Sequence, residues 1–209
     1  MKPLSSKRSR RALWLRLLIQ SHWMSSAISL VGMVLFALTG ITLNHAAQIE
    51  TEPVVVSQTA ELPASLRQRL REGQHSGTGP FPPDVSRWLD EQFGRSIGNR
   101  SAEWSDEEVY LSLAGPGVDA WLAVDRSSGV VDFESTSRGW IAYFNDLHKG
   151  RHTGPAWSWF LDIFAVAALV FCLSGLLLLY ERAARRRWTW PLVGLGLIGP
   201  WILILLLAH

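Results

Sequence analysis

The residues of this chain best suited to chemistry are its histidines, and five of the six sit where an apolar run meets polar sequence. His22 and His45 bracket the first apolar span. His148 and His152 lie just ahead of the second, and His209 ends the third. Only His75 falls well inside the polar stretch between spans. Neutral imidazole is the commonest nitrogen ligand for metal ions and serves haem iron as well. Ionisable side chains at membrane depth are costly and tend to mark function. The chemistry on offer is therefore nitrogen ligation at a membrane boundary.

By span direction, His45, His148, His152 and His209 belong to the same boundary. One pair could clamp a haem b, whose axial histidines come from neighbouring helices. Three could instead hold an iron or copper ion. His45, His148 and His152 are the candidates for either cofactor, in one and the same place. The plainer alternative is that interfacial imidazoles only hydrogen-bond headgroups and backbone. His148 and His152 are four apart, a spacing that pairs metal ligands on one helix face. Gly150 lies between them and Gly154-Pro155 follows, so the helix is expected to fray there. Asp162, about six residues into the second span, needs a partner at that depth. It would orient a ligand histidine through the second ring nitrogen, or else pair with Arg151 or a headgroup. Asp146 and Asn145 lie near the same face. His22 is alone at the opposite boundary: a haem there would need a second copy's His22, and otherwise His22 is an ordinary interfacial residue.

Three apolar segments must position these groups: about Trp23–Leu43, Ala156–Tyr180 and Pro191–Ala208. A helix needs about 20 residues to cross roughly 30 Å of hydrocarbon. Within 209 residues, 48% hydrophobic and with eleven Trp, that pattern describes a small membrane protein. The first span follows a basic head, but its apolar core is about twice the length of a signal h-region, so it reads as an uncleaved anchor. Trp14, Trp23, Trp157, Trp159, Trp188 and Trp190 flank the spans as an aromatic belt. Small residues recur in the first span at Ser25, Ser29, Gly32 and Gly40, and in the second at Ala168, Cys172 and Gly175. They allow close helix packing within a three-helix unit or a homodimer.

Charge sets the expected orientation. Six Lys/Arg and no acid precede the first span, and Arg182, Arg185, Arg186 and Arg187 lie between spans two and three. Residues 46–155 hold ten basic and sixteen acidic residues, a balance of −6. The positive-inside rule puts the N-terminus and the Arg-rich loop in the cytoplasm, and the long loop and C-terminus outside. The overall charge of +2 hides this split. Anionic lipid accounts for the cytoplasmic basic clusters without nucleic acid.

The long loop opens with a polar linker, about 46–62. A short helix is predicted from Leu62 to Gly73, a Gly/Pro-rich break from Gln74 to Pro83, and a second helix from Pro83 to Phe93. Alternation predicts strands over Glu108–Leu113, Asp119–Val124 and Val130–Phe133, joined by turns at Gly115-Pro-Gly117 and Asp125–Gly129. This is a small α+β domain of about 70 residues, too small for a deep catalytic core. Trp140, Ile141, Phe144, Leu147 and His148 recur at helical spacing, so Arg138–Lys149 reads as an interfacial helix. No GxSxG, HExxH or P-loop motif occurs, and one cysteine, Cys172, forms neither an intrachain disulfide nor a CxxCH haem attachment.

The stretch "WLAVDRSSGVV" resembles the last strands of a PepSY domain. "FNDLHKGRHTG", followed by a span with an early Asp, resembles the PepSY-associated transmembrane proteins, as does His22-Trp23 at the start of the first span. The resemblance covers nearly the whole chain. It implies a helical membrane protein with three transmembrane helices and a small periplasmic PepSY-like α+β insertion between helices one and two. The expected divisions are 1–45 (basic N-terminus and first helix), 46–137 (linker and PepSY-like domain), 138–155 (interfacial helix and His-containing turn), 156–181 (second helix), 182–190 (Arg-rich loop) and 191–209 (third helix). Larger relatives include inner-membrane reductases for siderophore-bound iron. The resemblance thus implies a haem- or metal-binding redox component of a bacterial inner membrane, passing electrons to a periplasmic acceptor and linked to iron uptake. The alternative is a non-enzymatic anchor or regulatory subunit whose PepSY-like domain binds a periplasmic or membrane protein. The chain departs from the reductases in having three spans and only His22 on the cytoplasmic side.

Overall fold

Each apolar run becomes one helix, and the stretch between the first two becomes a sheet with its own core. A computed structural model of the chain describes residues 5–49, 52–73, 76–183 and 186–207. The elements are α1 (Ser5–Asn44), β1 (Val54–Glu61), α2 (Ala64–Glu72), β2 (Gly77–Pro80), α3 (Pro83–Phe93), β3 (Ser101–Trp104), β4 (Glu108–Ser112), β5 (Val118–Asp125), β6 (Val130–Ser137), α4 (Gly139–Lys149), α5 (Pro155–Arg182) and α6 (Thr189–Leu207). They form two compact units, Met1–Leu35 with Trp159–His209, and Phe36–Ser158.

In the first unit, α1, α5 and α6 are long and apolar enough to cross a membrane. The 40 residues of α1 reach about 60 Å, twice the hydrocarbon thickness, so the basic N-terminal turns continue the same helix. α1 and α5 run antiparallel: Arg11 Nη2 meets Glu181 Oε2 at 2.7 Å near one end, and Gly32 meets Phe164 further along. The buried stripe of α1 is Leu18, Ser25, Ser29 and Gly32. Its hydroxyls are satisfied within the helix, Ser25 Oγ donating to Ser21 O and Ser29 Oγ to Ser25 O, each at 2.7 Å. Small side chains with no outstanding hydrogen-bond demand allow the backbones to approach closely. On α6 no residue is buried.

In the second unit, six antiparallel strands lie in the order β1-β6-β5-β4-β3-β2. Period-2 alternation sends Ala102, Trp104, Val109, Leu111, Ala120, Leu122, Val124, Val131 and Phe133 to one face, where they pack with Leu70 of α2 and Val85, Leu89 and Phe93 of α3. Helix α3 carries its own boundary signals, Pro83 in its first turn and Gly94 (φ 62°) as a left-handed C-cap. Buried Arg126 ties helix to sheet: it donates to Ser105 O (2.6 Å) and Leu70 O (2.8 Å), and its guanidinium lies 5.7 Å from the Trp104 ring centroid.

The sheet is larger than the alternation alone predicts. β1 occupies Val54–Glu61, where the sequence reads as linker. It is an edge strand in which every residue but Ala60 is exposed, so no burial alternation reveals it. β2 falls in the expected Gly/Pro break; it too is an edge, where Pro80 costs no ladder bond. β3 and the second half of β6 also lie outside the strands that the sequence predicts. The helices predicted around 62–73, 83–93 and 138–149 form as α2, α3 and α4.

Candidate functional site

Three groupings of polar side chains stand out, one in the first unit and two in the second.

His148 sits in the last turn of α4, half-buried against α1. Its Nδ1 lies 2.7 Å from Thr39 Oγ1, its ring 4.8 Å from Phe36, and Cε1 is 3.7 Å from where a Cβ on Gly40 would stand. The Thr39 hydroxyl also lies 3.3 Å from Phe36 O, and Nδ1 is the His148 ring nitrogen engaged at this contact. One turn away, Thr42 Oγ1 donates to Asn145 Oδ1 at 2.8 Å. Buried Asp146 accepts from Gly117 N (2.9 Å) and from Arg138 Nη2 (3.1 Å), and the same Arg138 nitrogen meets Asp119 at 3.4 Å. Asn145 and Asp146 thus fasten α4 to α1 and to the β5 entry.

The other two candidate ligands are placed differently. His45 lies beyond the end of α1, exposed, with Nδ1 3.1 Å from Gln48 Oε1. Gly150 (φ 66°) ends α4, with Arg151 N bonding back to Asp146 O at 2.9 Å, so His152 lies past the helix and not on the face of His148. His152 is exposed, in the left-handed region at φ 55°, with Nε2 3.1 Å from Arg151 Nε. Among the described residues, no group of three or more His, Cys, Asp or Glu is placed to hold a metal ion. Asp162 is an exposed residue of α5. His75 and His209 lie outside the described residues. Gly194-x-Gly196-x-x-Gly199 has dinucleotide-turn spacing but falls inside α6, with no strand before it, so it builds no phosphate loop.

In the first unit, His22 is held at the α1–α5 contact. Its Nδ1 lies 3.0 Å from Ser174 Oγ and 3.2 Å from Phe171 O, and its ring stacks on Phe171 at 4.7 Å and 16°. Ser174 Oγ donates to Phe171 O at 3.0 Å. Phe171 O can only accept, so its contact with Nδ1 is a hydrogen bond when the His22 proton is on Nδ1. Sequence reasoning missed Thr39 and Ser174 as partners. Their one signal is a hydroxyl on an apolar span, which does not say which ring it meets.

The third grouping is the open face of the sheet. The strands contain seven acids, Glu61, Glu103, Glu108, Asp119, Asp125, Asp132 and Glu134, and no Lys or Arg. Register puts all seven on the side away from the core: Glu103 opposes Tyr110, Glu108 opposes Asp125, and Glu134 opposes Trp121 and Ser57. Tyr110 and Trp121 stack at 6.3 Å in their midst. Asp125 belongs to the β5–β6 turn. The Ser128 backbone N–H, then the Ser127 and Ser128 hydroxyls, hold its carboxyl down to about 2.

Apolar membrane-length helices enclosing, in sequence, an antiparallel sheet define the class: a membrane protein with a small α+β domain. The family model described as "Putative PepSY_TM-like" matches residues 13–209, so the chain belongs to that family. It matches no curated protein and no solved structure.

Proposed function

We propose that this protein is a membrane-anchored docking subunit whose PepSY-like domain receives a basic protein segment on its open sheet face. The observation that carries the reading is the one-sided charge of the sheet: seven acids and no base on the strands, around the Tyr110–Trp121 pair; Arg67 meets Glu61 at 2.8 Å and Arg138 meets Asp119 at 3.4 Å, while Glu103, Glu108 and Glu134 form no ion pair among the described residues. Like charges on neighbouring strands cost stability, and a partner bearing Lys and Arg offsets that cost while the aromatic pair provides stacking area. Positive-inside logic puts this domain in the periplasm of a bacterial inner membrane, with the N-terminus and the basic residues Arg182, Arg186 and Arg187 in the cytoplasm. The partner is then a periplasmic or membrane protein. A photo-crosslinking residue at Tyr110, in cells, tests this. A discrete cross-linked species that weakens with salt and disappears in Glu103→Lys/Glu108→Lys/Glu134→Lys supports it. The same cross-link with the charge-reversed face sinks it.

A second reading, a haem b or iron or copper redox component, is favoured by one observation. His148 has its Nδ1 tied to Thr39, which leaves Nε2 as a ligand nitrogen in a fixed ring orientation. A bound haem would supply one-electron chemistry; His148 would hold it, with His45 or His152 moving in as a second ligand. Electrons would pass to a periplasmic acceptor, in iron uptake by analogy with the reductases. An absorption spectrum of the purified chain, oxidised and dithionite-reduced, decides between the readings. A Soret band lost in His148→Ala favours redox; no Soret band and no bound iron or copper removes it.

A further inference from the structure

The groove beside His22 is absorbed by neither reading. It has a volume of about 580 Å³ and is lined by Ile19, His22, Gly175, Leu178, Leu179, Arg182, Arg186 and Thr189. All of these belong to one unit: on α1, the end of α5, the start of α6 and, for Arg186, the segment between α5 and α6. Three features converge there. Ile19, Leu178 and Leu179 give an apolar wall along the spans. Arg182 and Arg186 give two cations at the span ends, and neither forms an ion pair among the described residues; the nearby Glu181 is taken by Arg11 at 2.7 Å. Thr189 opens α6, whose first turn adds the positive end of a 19-residue helix.

His22 adds a specific acceptor. Phe171 O, 3.2 Å from Nδ1, can only accept, so this contact calls for the imidazole proton on Nδ1 and leaves Nε2 its lone pair. Gly175 makes room for this: a Cβ there would stand 3.1 Å from His22 Cε1. A lone-pair nitrogen next to two guanidinium groups is poorly matched to a bare anion, which brings no donor. It matches an anion that carries a hydroxyl a few bonds from its charge.

We propose that this groove binds one phospholipid with an anionic, hydroxyl-bearing headgroup of the phosphatidylglycerol type. The phosphate lies between Arg182 and Arg186, a headgroup hydroxyl donates to His22 Nε2, and an acyl chain runs along Ile19, Leu178 and Leu179. Bidentate guanidinium contacts recognise phosphate geometry as well as charge.

Native mass spectrometry of the full chain tests this, with phosphatidylglycerol, phosphatidylmethanol and phosphatidylcholine of identical acyl chains. Phosphatidylmethanol keeps the anionic phosphodiester and lacks the hydroxyl. The expected result is one retained phosphatidylglycerol, preferred about tenfold over phosphatidylcholine and several-fold over phosphatidylmethanol. In Arg182→Gln/Arg186→Gln the first preference falls to about one. In His22→Leu the second is lost and the first persists. Equal retention of all three lipids by the unaltered chain overturns the proposal whether or not the variants fold. So does a full tenfold preference in the double arginine variant. Phosphatidylmethanol binding as tightly as phosphatidylglycerol removes the role of His22 and overturns the hydroxyl specificity.

Discussion

The Cβ that Gly32 lacks would stand 2.5 Å from Cε2 of Phe164, so α1 and α5 meet at a glycine against an aromatic ring. No real Cβ is tolerated at that distance, so either the Phe164 ring must turn or the helices must move apart. Gly32→Val should therefore destabilise the helix pair by about 1–3 kcal/mol through overpacking. Phe164→Ala alone should also destabilise, by leaving a cavity. The double variant should recover part of the loss, because each change relieves the other. Thermal unfolding in detergent, followed by tryptophan fluorescence, reads the cycle; strictly additive losses would show that the contact is not shared.

Asp146 is buried and accepts from Gly117 N and Arg138. Asp146→Ala strands the Gly117 backbone N–H and removes one of the two carboxylates that Arg138 meets. The expected cost is about 3 kcal/mol, as for breaking one partner of a buried charged network. Asp146→Asn should cost less, since its amide oxygen still accepts from Gly117. Limited proteolysis should cut near α4 sooner in the Ala variant. Equal cleavage of variant and parent would mean that α4 is fastened elsewhere.

Arg126 is a buried cation with carbonyl oxygens for partners. Two of its acceptors, Leu70 O and Arg71 O, are last-turn carbonyls of α2, the negative end of the helix dipole. Lysine cannot span Ser105 O and Leu70 O with one planar fork, nor stack on Trp104 in the same way. Arg126→Lys should lower stability by about 2 kcal/mol, and Arg126→Met by more. A melting temperature unchanged in Arg126→Lys would assign the role to charge alone.

Asp125 governs one acid transition. Its folded carboxyl titrates at about 2, below the ordinary carboxylate, because the Ser128 N–H and then the Ser127 and Ser128 hydroxyls bind the charged form. A depressed folded pKa contributes stability that is fully present above about pH 4 and is lost as the pH falls through about 2. Asp125→Asn should lower stability at pH 7 and flatten its dependence between pH 4 and 2. Denaturation curves at pH 7, 4 and 2 check this; an unchanged acid slope would rule the turn out.

The amino-acid sequence by itself determined the elements with a strong local period. A run of about 20 apolar residues has no stable place but a membrane or a core, so the three spans are legible in the chain itself. Helix α3 announced its ends with Pro83 and Gly94, and β4, β5 and β6 announced themselves because one face of each is buried. Edge strands β1 and β2 gave no such sign, since Ala60 alone of β1 packs against the core and β2 reads as a turn. Tertiary structure alone decided the rest. It put all seven strand acids on one face, because strand parity becomes a shared surface only once register is set. It separated His152 from His148 through the left-handed cap at Gly150, although four-residue spacing suggests one helix face. It also turned His22 from a solitary interfacial imidazole into one with an assigned tautomer, facing a groove with two arginines. Hydrogen-bond partners such as Ser174, 152 residues away, are set by how helices pack, and that distance does not exist along the chain.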